Sequence, residues 1–198
     1  MAASVFEVDP CFELDPIVLS LTDEQFEELC RNNRDLRFEQ TATGELIIMP
    51  PTGWETGNRN IEIAYQVQSW SRMTKMGKAF DSSTGFVLPN GAKRSPDAAW
   101  VRQDRLDVLK PNPDKFLPLA PDFAVELRSA TDNLQTLRAK MQEYIAVGVR
   151  LGWLINPQDR QVEVYRPHQV VQLLRSPEQL SGEEILPGFV LDLREIWG

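Results

Sequence analysis

The spacing of apolar residues predicts a chain that mixes helices with many short strands. A first helix is expected from Thr22 to Asn32, because Thr22 is a suitable N-cap and apolar residues follow it at helical intervals. Two strands, at residues 36–39 and 45–49, are expected next around a turn at 42–44, which makes them a β-hairpin. The N-terminal part of the chain is therefore predicted to be a helix followed by a hairpin.

A long helix is predicted from about Glu55 to Met76, with Gly77 as its terminator. Apolar side chains recur along it at helical spacing and should form the face that packs on the rest of the protein. This face is expected to comprise Ile61, Ala64, Tyr65, Gln68 and Met73, widened by Ile63, Val67 and Trp70.

The C-terminal half has the pattern of a strand, a helix and a second strand. The strand at Asp122–Ser129 is followed by an amphipathic helix at Leu134–Val147, which Gly148 should end. The uninterrupted apolar run Leu151–Ile155 is typical of a strand buried on both faces, so a right-handed crossover and parallel pairing are expected. Further strands are predicted at Lys78–Ser82, Gly85–Leu88, Asp97–Val101, Gln161–Tyr165 and Gln169–Leu174.

These elements predict an α/β fold, or α+β since hairpins are many, with a mixed central sheet flanked by helices. The N-terminal helix and hairpin should form an extension of it. The length of 198 residues fits one domain, residues 1–198. No apolar run is long enough to cross a membrane, and the acidic first 16 residues lack the basic start of a secretory signal. No membrane partner and a cytoplasmic location are therefore expected.

Composition excludes several classes of enzyme. Cys11 and Cys30 have no zinc-site spacing, which favours two reduced thiols in a reducing cytosol. His168 is the only histidine and no GxSxG elbow is present, so a serine-histidine triad is not indicated. The net charge of −8 argues against a protein that coats nucleic acid. It argues less against an enzyme that uses carboxylates to hold Mg²⁺.

Two carboxylates occupy unusual positions in the predicted strands. Glu126 lies in the middle of a strand, where a carboxylate must be paired, bound to metal or at a cleft. An ion pair with Arg128 is the structural alternative. Asp97 opens its own strand after Pro96 and could simply cap the turn. If the two strands are neighbours, however, the carboxylates converge and form an Mg²⁺ site.

Lys140 lies on the helix after the Glu126 strand. Leu137 precedes it by three residues and Tyr144 follows by four, so Lys140 should border the apolar face. Its stem could pack there while its ammonium reaches over the sheet, although a surface lysine with a buried stem is the simpler alternative. Beside a metal, the ammonium would orient or activate water and offset charge on a phosphate.

The motifs Ser95-Pro96-Asp97 and Glu126-Leu127-Arg128-Ser129 resemble the PD…(D/E)xK pattern of the restriction-endonuclease-like superfamily. The chain is similar, more specifically, to a family of small bacterial proteins known as "putative restriction endonucleases". The resemblance extends from about Leu19 to Tyr165 and beyond. It is carried also by Phe38-Glu39, Gly44-Glu45-Leu46, Leu137-Arg138-Ala139-Lys140 and Gly152-Trp153-Leu154-Ile155-Asn156-Pro157.

This resemblance implies Mg²⁺-dependent phosphodiester hydrolysis, with Mn²⁺ as an alternative metal, and often a homodimer. Asp97 and Glu126 match the metal ligands of the family. Arg128 departs from the superfamily pattern, which has lysine there. Arginine stays protonated and cannot act as a base, although it can hold a phosphate. Related small proteins supply the lysine from the following helix, where Lys140 stands.

Two further acids are candidates for the same site. Glu62 lies on the long helix, from which the family often supplies a carboxylate, but a solvent-facing role is as plausible. Glu39 matches the resemblance and would reach the site from the hairpin, or only order that hairpin. Trp54 and Trp100 are candidates for stacking on bases, whereas Trp153 should be in the core.

The sequence thus predicts a metal-dependent endonuclease that acts on nucleic acid, most simply DNA. A catalytically inactive nuclease-fold protein, which binds nucleic acid or a partner through the same fold, is the alternative. In that case Glu126 should be held in an ion pair instead of remaining open to a metal.

Overall fold

The computed structural model describes residues 21–198, so Cys11 and the acidic N-terminal segment lie outside it. Seventeen helices and strands follow one another in these residues. They are α1 (Asp23–Asn32), β1 (Arg37–Gln40), β2 (Leu46–Met49), α2 (Trp54–Thr74), β3 (Gly77–Asp81), β4 (Phe86–Val87), β5 (Lys93–Arg94), β6 (Ala98–Arg102), α3 (Gln103–Leu109), β7 (Phe123–Leu127), α4 (Leu134–Ala146), β8 (Leu151–Asn156), β9 (Gln161–Tyr165), β10 (Gln172–Arg175), β11 (Gln179–Ser181), β12 (Val190–Asp192) and α5 (Arg194–Trp197).

A six-stranded mixed sheet forms the centre of the fold, in the order β10-β9-β8-β7-β6-β3. The pair β7–β8 is parallel, whereas the other neighbours in this sheet are antiparallel. Helix α4 connects the two parallel strands, which confirms the predicted parallel pairing through a helix. The mixed sheet with flanking helices confirms the predicted fold class.

The two faces of this sheet are covered by different helices. Alternate side chains of a strand point to opposite faces, so Val125 packs with one cluster and Ala124 with the other. Helix α2 covers the Val125 face, where Trp153 is buried in the core as predicted. Helix α4 covers the Ala124 face through Met141 and Tyr144. A carboxylate on that second face therefore lies under α4.

The predicted N-terminal extension is present as α1 and the β1–β2 hairpin. Thr22 caps α1 in a capping box with Gln25, as expected from its position. The hairpin belongs to a second sheet of order β2-β1-β5-β4. Gln40 of β1 pairs with Lys93 of β5, a two-residue strand too short to be recognised from the sequence. This pairing brings the hairpin to the segment that precedes β6.

Two expectations about the long helix were wrong. Helix α2 ends at Thr74, where Lys75 takes the left-handed conformation with φ of 57°. Gly77 instead opens β3, and an added Cβ there would lie 2.1 Å from the carbonyl oxygen of Val101. The close approach of two strands therefore requires this glycine. The expected helix face was wrong at its centre, because Ile61, Tyr65 and Met73 are exposed, but Ile63, Val67 and Trp70, which were expected to widen it, are buried.

The last elements of the chain close the α2 face of the sheet. Their apolar side chains Leu180, Leu191 and Ile196 are buried in the same cluster as Trp153. The sequence analysis predicted none of β11, β12 and α5, because each is only three or four residues long. Within residues 21–198, no helix has the length and apolarity needed to span a membrane.

Candidate active site

Strand pairing brings Asp97 and Glu126 together. Ala98 of β6 pairs with Val125 of β7, and extending this antiparallel register by one residue sets Asp97 opposite Glu126. The Oδ2 atom of Asp97 accepts the backbone N–H of Leu127 at 2.8 Å, which fixes the carboxylate at the end of β7. The two carboxylates that the sequence singled out are therefore neighbours in the sheet.

Asp97 is held on its other oxygen by a side chain of α2. Asn60 donates from Nδ2 to Oδ1 of Asp97 at 3.0 Å. Burial raises the pKa of Asp97, although the two hydrogen bonds and the nearby Lys140 act against that rise. Residual exposure of the side chain matches its place in the wall of a cleft. Asp97 is consequently oriented by two donors while it still faces an opening.

Glu126 is buried beneath α4 and meets two donors there. Tyr144 donates its hydroxyl to Oε1 at 2.8 Å, and the ammonium of Lys140 lies 2.9 Å from the same oxygen. Burial raises the pKa of Glu126 to about 7, with a further contribution from Asp97, and Lys140 only partly offsets the rise. Two acids thus share one site that lacks enough positive charge to stabilise both as anions.

Lys140 also binds Glu39, which reaches the site from β1. The ammonium lies 2.8 Å from Oε1 of Glu39, and the same oxygen accepts the N–H of Ser95 at 2.8 Å. Arg94 binds the other oxygen of Glu39 at 3.2 Å. Burial works to raise the pKa of Glu39, but Lys140, Ser95 and Arg94 outweigh it and lower the pKa. Glu39 is therefore an anion that holds Lys140 in place.

A cleft of about 580 Å³ opens over these residues. Its floor includes Asp97, Glu126 and Lys140, and Trp54 stands at its rim at the start of α2. The remaining walls come from the end of the hairpin, the start of α2 and the segment between β7 and α4. They include Arg37, Met49, Pro50, Pro51, Thr52, Gly53, Glu55, Thr56, Asn60, Ser95, Leu127, Ser129, Ala130, Thr131, Asp132 and Leu137.

Two of the predicted site residues are not among those that line this cleft. Arg128 turns to the end of β8, where it donates to Asn156 at 3.4 Å and lies 3.6 Å from Asp159. Glu62 binds Gln66 at 3.0 Å and faces a separate groove between α2 and β3. Arg128 does not line the cleft because it lies beyond the end of β7. Glu62 does not line it because two residues of helix place it about half a turn away from Asn60.

Trp100 cannot stack on a base, contrary to the expectation from the sequence. Only 1% of its surface is exposed, and its Nε1 donates to Ser71 at 3.2 Å. His168 lies in the turn between β9 and β10, is exposed, and does not line the cleft.

Asn60 is a site residue that the sequence analysis missed. It precedes Ile63 by three and Val67 by seven residues, so a polar side chain occupies the buried face of α2. This spacing could have identified Asn60 from the sequence. It was missed because the predicted face was centred on Ile61 and Tyr65. The Oδ1 atom of Asn60 is buried and accepts no hydrogen bond from any residue of the described range 21–198, which leaves an oxygen without a donor beside Asp97.

The donor set fits a hard divalent cation. Mg²⁺ binds one or two carboxylates and keeps several waters, and its ligands are oxygens. Asp97 and Glu126 supply carboxylate oxygens to the cleft, and Asn60, whose buried Oδ1 has no donor among the described residues, binds Asp97. Within residues 21–198, no group of three or more histidine, cysteine, aspartate or glutamate side chains could hold a metal. A metal here would therefore depend on water, substrate or an amide oxygen for its remaining ligands.

Comparison with known proteins now identifies the class. Residues 23–194 match the model of the Uma2 family, described as "Putative restriction endonuclease". The match covers most of the chain, so this protein belongs to that family and the resemblance noted in the sequence is confirmed. No curated protein matches the chain.

A solved structure supports the fold assignment. A crystal structure described as a putative nuclease from Anabaena variabilis superimposes with a TM-score of 0.74, at 18% sequence identity. The similarity covers 89% of this chain and 97% of the other. At this low identity the likeness shows a common fold, in which the cleft described above is embedded.

Proposed function

We propose that this protein is an endonuclease that hydrolyses phosphodiester bonds of DNA with Mg²⁺ or Mn²⁺. One observation carries the proposal: strand pairing sets Asp97 opposite Glu126 on the floor of an open cleft, with Lys140 bound to Glu126. Membership in a family described as putative restriction endonucleases supports the same activity.

Asp97 and Glu126 would hold the metal, and a metal held there would supply Lewis acidity for the phosphoryl oxygen and for a water molecule. Both contacts of Glu126 with Tyr144 and Lys140 reach Oε1, so Oε2 is the oxygen offered to a metal. Asn60 would keep the Asp97 carboxylate oriented toward the cleft. Because each carboxylate already has a fixed partner, little reorganisation is needed on binding.

Lys140 would act as a donor and not as a base in this proposal. Burial would lower its pKa, but Glu126 and Glu39 raise it above the ordinary value of a lysine. The ammonium therefore stays protonated near neutral pH. A fixed positive charge beside the carboxylates can orient the attacking water and offset the charge that grows on the phosphate. Glu39 would position this ammonium from the hairpin.

Plasmid cleavage in Mg²⁺ and in Mn²⁺ tests the proposal. Asp97→Asn and Glu126→Gln keep the shape of the side chains but remove the anionic ligands, so each should abolish nicking. Glu62→Gln is the matched control, because Glu62 is a carboxylate on α2 that does not line the cleft. Cleavage that survives both site substitutions would contradict the assigned ligands, and failure of the wild-type protein on both plasmid and single-stranded DNA would contradict the proposed activity.

A second function has one observation in its favour. Glu126 is bound to Lys140 at 2.9 Å, and a carboxylate held in an ion pair suits a catalytically inactive protein that binds nucleic acid or a partner. The partner is Lys140 and not Arg128, the residue considered from the sequence. Calorimetric titration with Mn²⁺ separates the two functions. Binding that Asp97→Asn removes supports the enzyme, whereas no metal binding supports the inactive alternative.

We also propose a homodimer that works in the cytoplasm. The family resemblance implies the dimer, and the cysteine content suits a reducing compartment. Sedimentation equilibrium of the full chain should give twice the mass of 22.6 kDa. A monomer at micromolar concentration would overturn this part of the proposal without affecting the cleavage test.

A further inference from the structure

Trp54 is the tryptophan that folding does not explain. All five tryptophans lie within residues 21–198, and Trp54 is 86% exposed while Trp70, Trp100 and Trp153 are at most 5% exposed. Trp197 is partly buried and donates its Nε1 to the carbonyl of Pro177 at 2.7 Å. A large aromatic side chain normally contributes stability by burial, which Trp54 does not do.

The exposed side chain of Trp54 lies at the candidate active site. It is the first residue of α2, and it lines the same cleft whose floor carries Asp97 and Glu126. Helix α2 fixes the backbone that follows it, and Pro50 and Pro51 restrict the chain three to four residues before it, with Thr52 and Gly53 between. An exposed indole at the start of a helix, beside a candidate phosphodiester site, is suited to stacking on a nucleobase.

The charges of the cleft limit what kind of nucleic acid can bind. The cationic residues that line it are Arg37 and Lys140, and Lys140 is already bound to Glu39 and Glu126. Its acidic lining residues are Glu55, Asp97, Glu126 and Asp132. Duplex binding usually depends on many phosphate contacts, which this cleft does not offer. Affinity must therefore come from the metal and from contacts to bases.

We propose that Trp54 stacks on an unpaired base next to the scissile phosphodiester, so that the preferred substrate is single-stranded nucleic acid. This inference rests on the proposed nuclease function and specifies its substrate. A base within a duplex is stacked on both neighbours and offers no free face to a side chain. A single strand offers that face at every nucleotide, and stacking compensates for the scarcity of free cations in the cleft.

Fluorescence anisotropy tests the binding step apart from catalysis. The probe is a labelled oligothymidylate of about twelve nucleotides, compared with a labelled hairpin duplex, in Ca²⁺ with the probe checked for integrity. Trp54→Ala should weaken binding of the single strand by about 10-fold to 100-fold, and Trp54→Phe should retain most of it. Tyr65→Ala is the matched control, since Tyr65 is a 63% exposed aromatic residue of α2 that does not line the cleft.

Salt dependence gives a second measure on the same complexes. Among residues 21–198, Arg37 is the one lining cation not held by buried carboxylates, so the logarithm of the binding constant should fall with the logarithm of salt with a slope of magnitude about 1. A slope of about 5 or more would show that many phosphates are bound. That result would overturn the stacking proposal.

Cleavage of the two probes in Mn²⁺ completes the test. If single strand is cleaved faster than duplex and Trp54→Ala removes that preference, both the activity and the inference hold. If Asp97→Asn abolishes cleavage but Trp54→Ala binds and cleaves like the wild type, the nuclease proposal stands and the inference fails. If no probe is cleaved but binding still depends on Trp54, stacking holds and the nuclease proposal fails. Tighter binding of the duplex would overturn the inference in either case.

Discussion

The antiparallel pair β6–β7 has carboxylates at each of its two ends. The two ends differ in the positively charged groups and hydrogen-bond donors that compensate those carboxylates. Asp122, before β7, is 1% exposed and lies 2.9 Å from Arg105, while its Oδ2 also accepts the N–H of Arg102 at 2.9 Å. At the other end, Asp97 and Glu126 share Lys140, and Lys140 is shared again with Glu39.

The difference separates a structural carboxylate from a candidate catalytic pair. Asp122 has arginine and a backbone donor of its own, so its charge is compensated locally. Glu126 has a pKa raised to about 7 by burial and by the neighbouring Asp97, which marks a deficit of positive charge. Asp97 and Glu126 carry more negative charge than Lys140 compensates, and they open to a cleft. A bound cation could supply the missing positive charge.

Of the variants that compare these two ends, removal of Lys140 should change the cleavage rate the most. Lys140→Met removes the ammonium but keeps much of the apolar stem, so cleavage should fall by about 100-fold or more because a preorganised positive charge is lost. Cleavage rates under single-turnover conditions measure this. The control is Lys78→Met, which changes an exposed lysine of β3 that does not line the cleft. Equal rates for Lys140→Met and the wild type would remove Lys140 from the catalytic set.

Asp122→Asn should show the opposite pattern, with lost stability and unchanged cleavage. The substitution leaves the guanidinium of Arg105 without its buried partner. Breaking a buried pair costs about 3–5 kcal/mol, but Arg105 is 35% exposed, so about 2 kcal/mol is expected. Urea unfolding measures the loss. A fall in cleavage at temperatures where the variant is fully folded would contradict the contrast between the two ends.

The raised pKa of Glu126 predicts a pH-dependent stability in the absence of metal. Its pKa is about 7 in the folded protein and 4.5 in the reference state, so the folded protein binds the proton more tightly. Stability contributed by the protonated carboxyl is therefore complete below about pH 4.5 and is lost as pH rises through about 7. Between pH 5 and 8, the wild type should lose about 2 kcal/mol relative to Glu126→Gln.

Urea unfolding at several pH values, with and without Mg²⁺, measures this difference. Added Mg²⁺ should reduce the loss at pH 8, because it stabilises the ionised carboxylate. Cleavage should also decline as the pH falls, because a proton on Glu126 competes with the metal, and a higher Mg²⁺ concentration should shift this decline to lower pH. A pH-independent difference between the wild type and Glu126→Gln would contradict the assigned pKa.

The smallest effect is expected at Asn60. Asn60→Ala removes the donor that orients Asp97, and loss of such a supporting contact typically reduces metal affinity or activity by about 10-fold. Asn58→Ala is the control, since Asn58 lies on the same helix but is exposed and does not line the cleft. Calorimetric Mn²⁺ titrations of both variants should differ. Identical affinities would show that Asp97 does not need this partner.

Several elements of the fold and of the candidate site could be predicted because they depend on local patterns along the chain. The apolar run at 151–155 identified a central strand, and the strand–helix–strand order identified the parallel pair β7–β8. The motif residues Asp97 and Glu126 and the helix that carries Lys140 were also identified from the sequence. Asp97 directly precedes β6, Glu126 lies within β7 and Lys140 lies on α4, and within a strand or a helix the spacing along the chain determines the direction of a side chain.

Which side chains meet in the site depends on the packing of elements that are distant in sequence. The face of α2 that packs inward depends on how the helix lies against the sheet, so Asn60 entered the site while Glu62 turned to another groove. The partner of Lys140 from the hairpin, Glu39, comes from 101 residues away in sequence, and no local pattern encodes such a contact. The directions of Arg128, just after β7, and of Trp54, at the start of α2, also depend on where those elements end and begin. A shift of one residue at such a boundary turns a side chain in another direction.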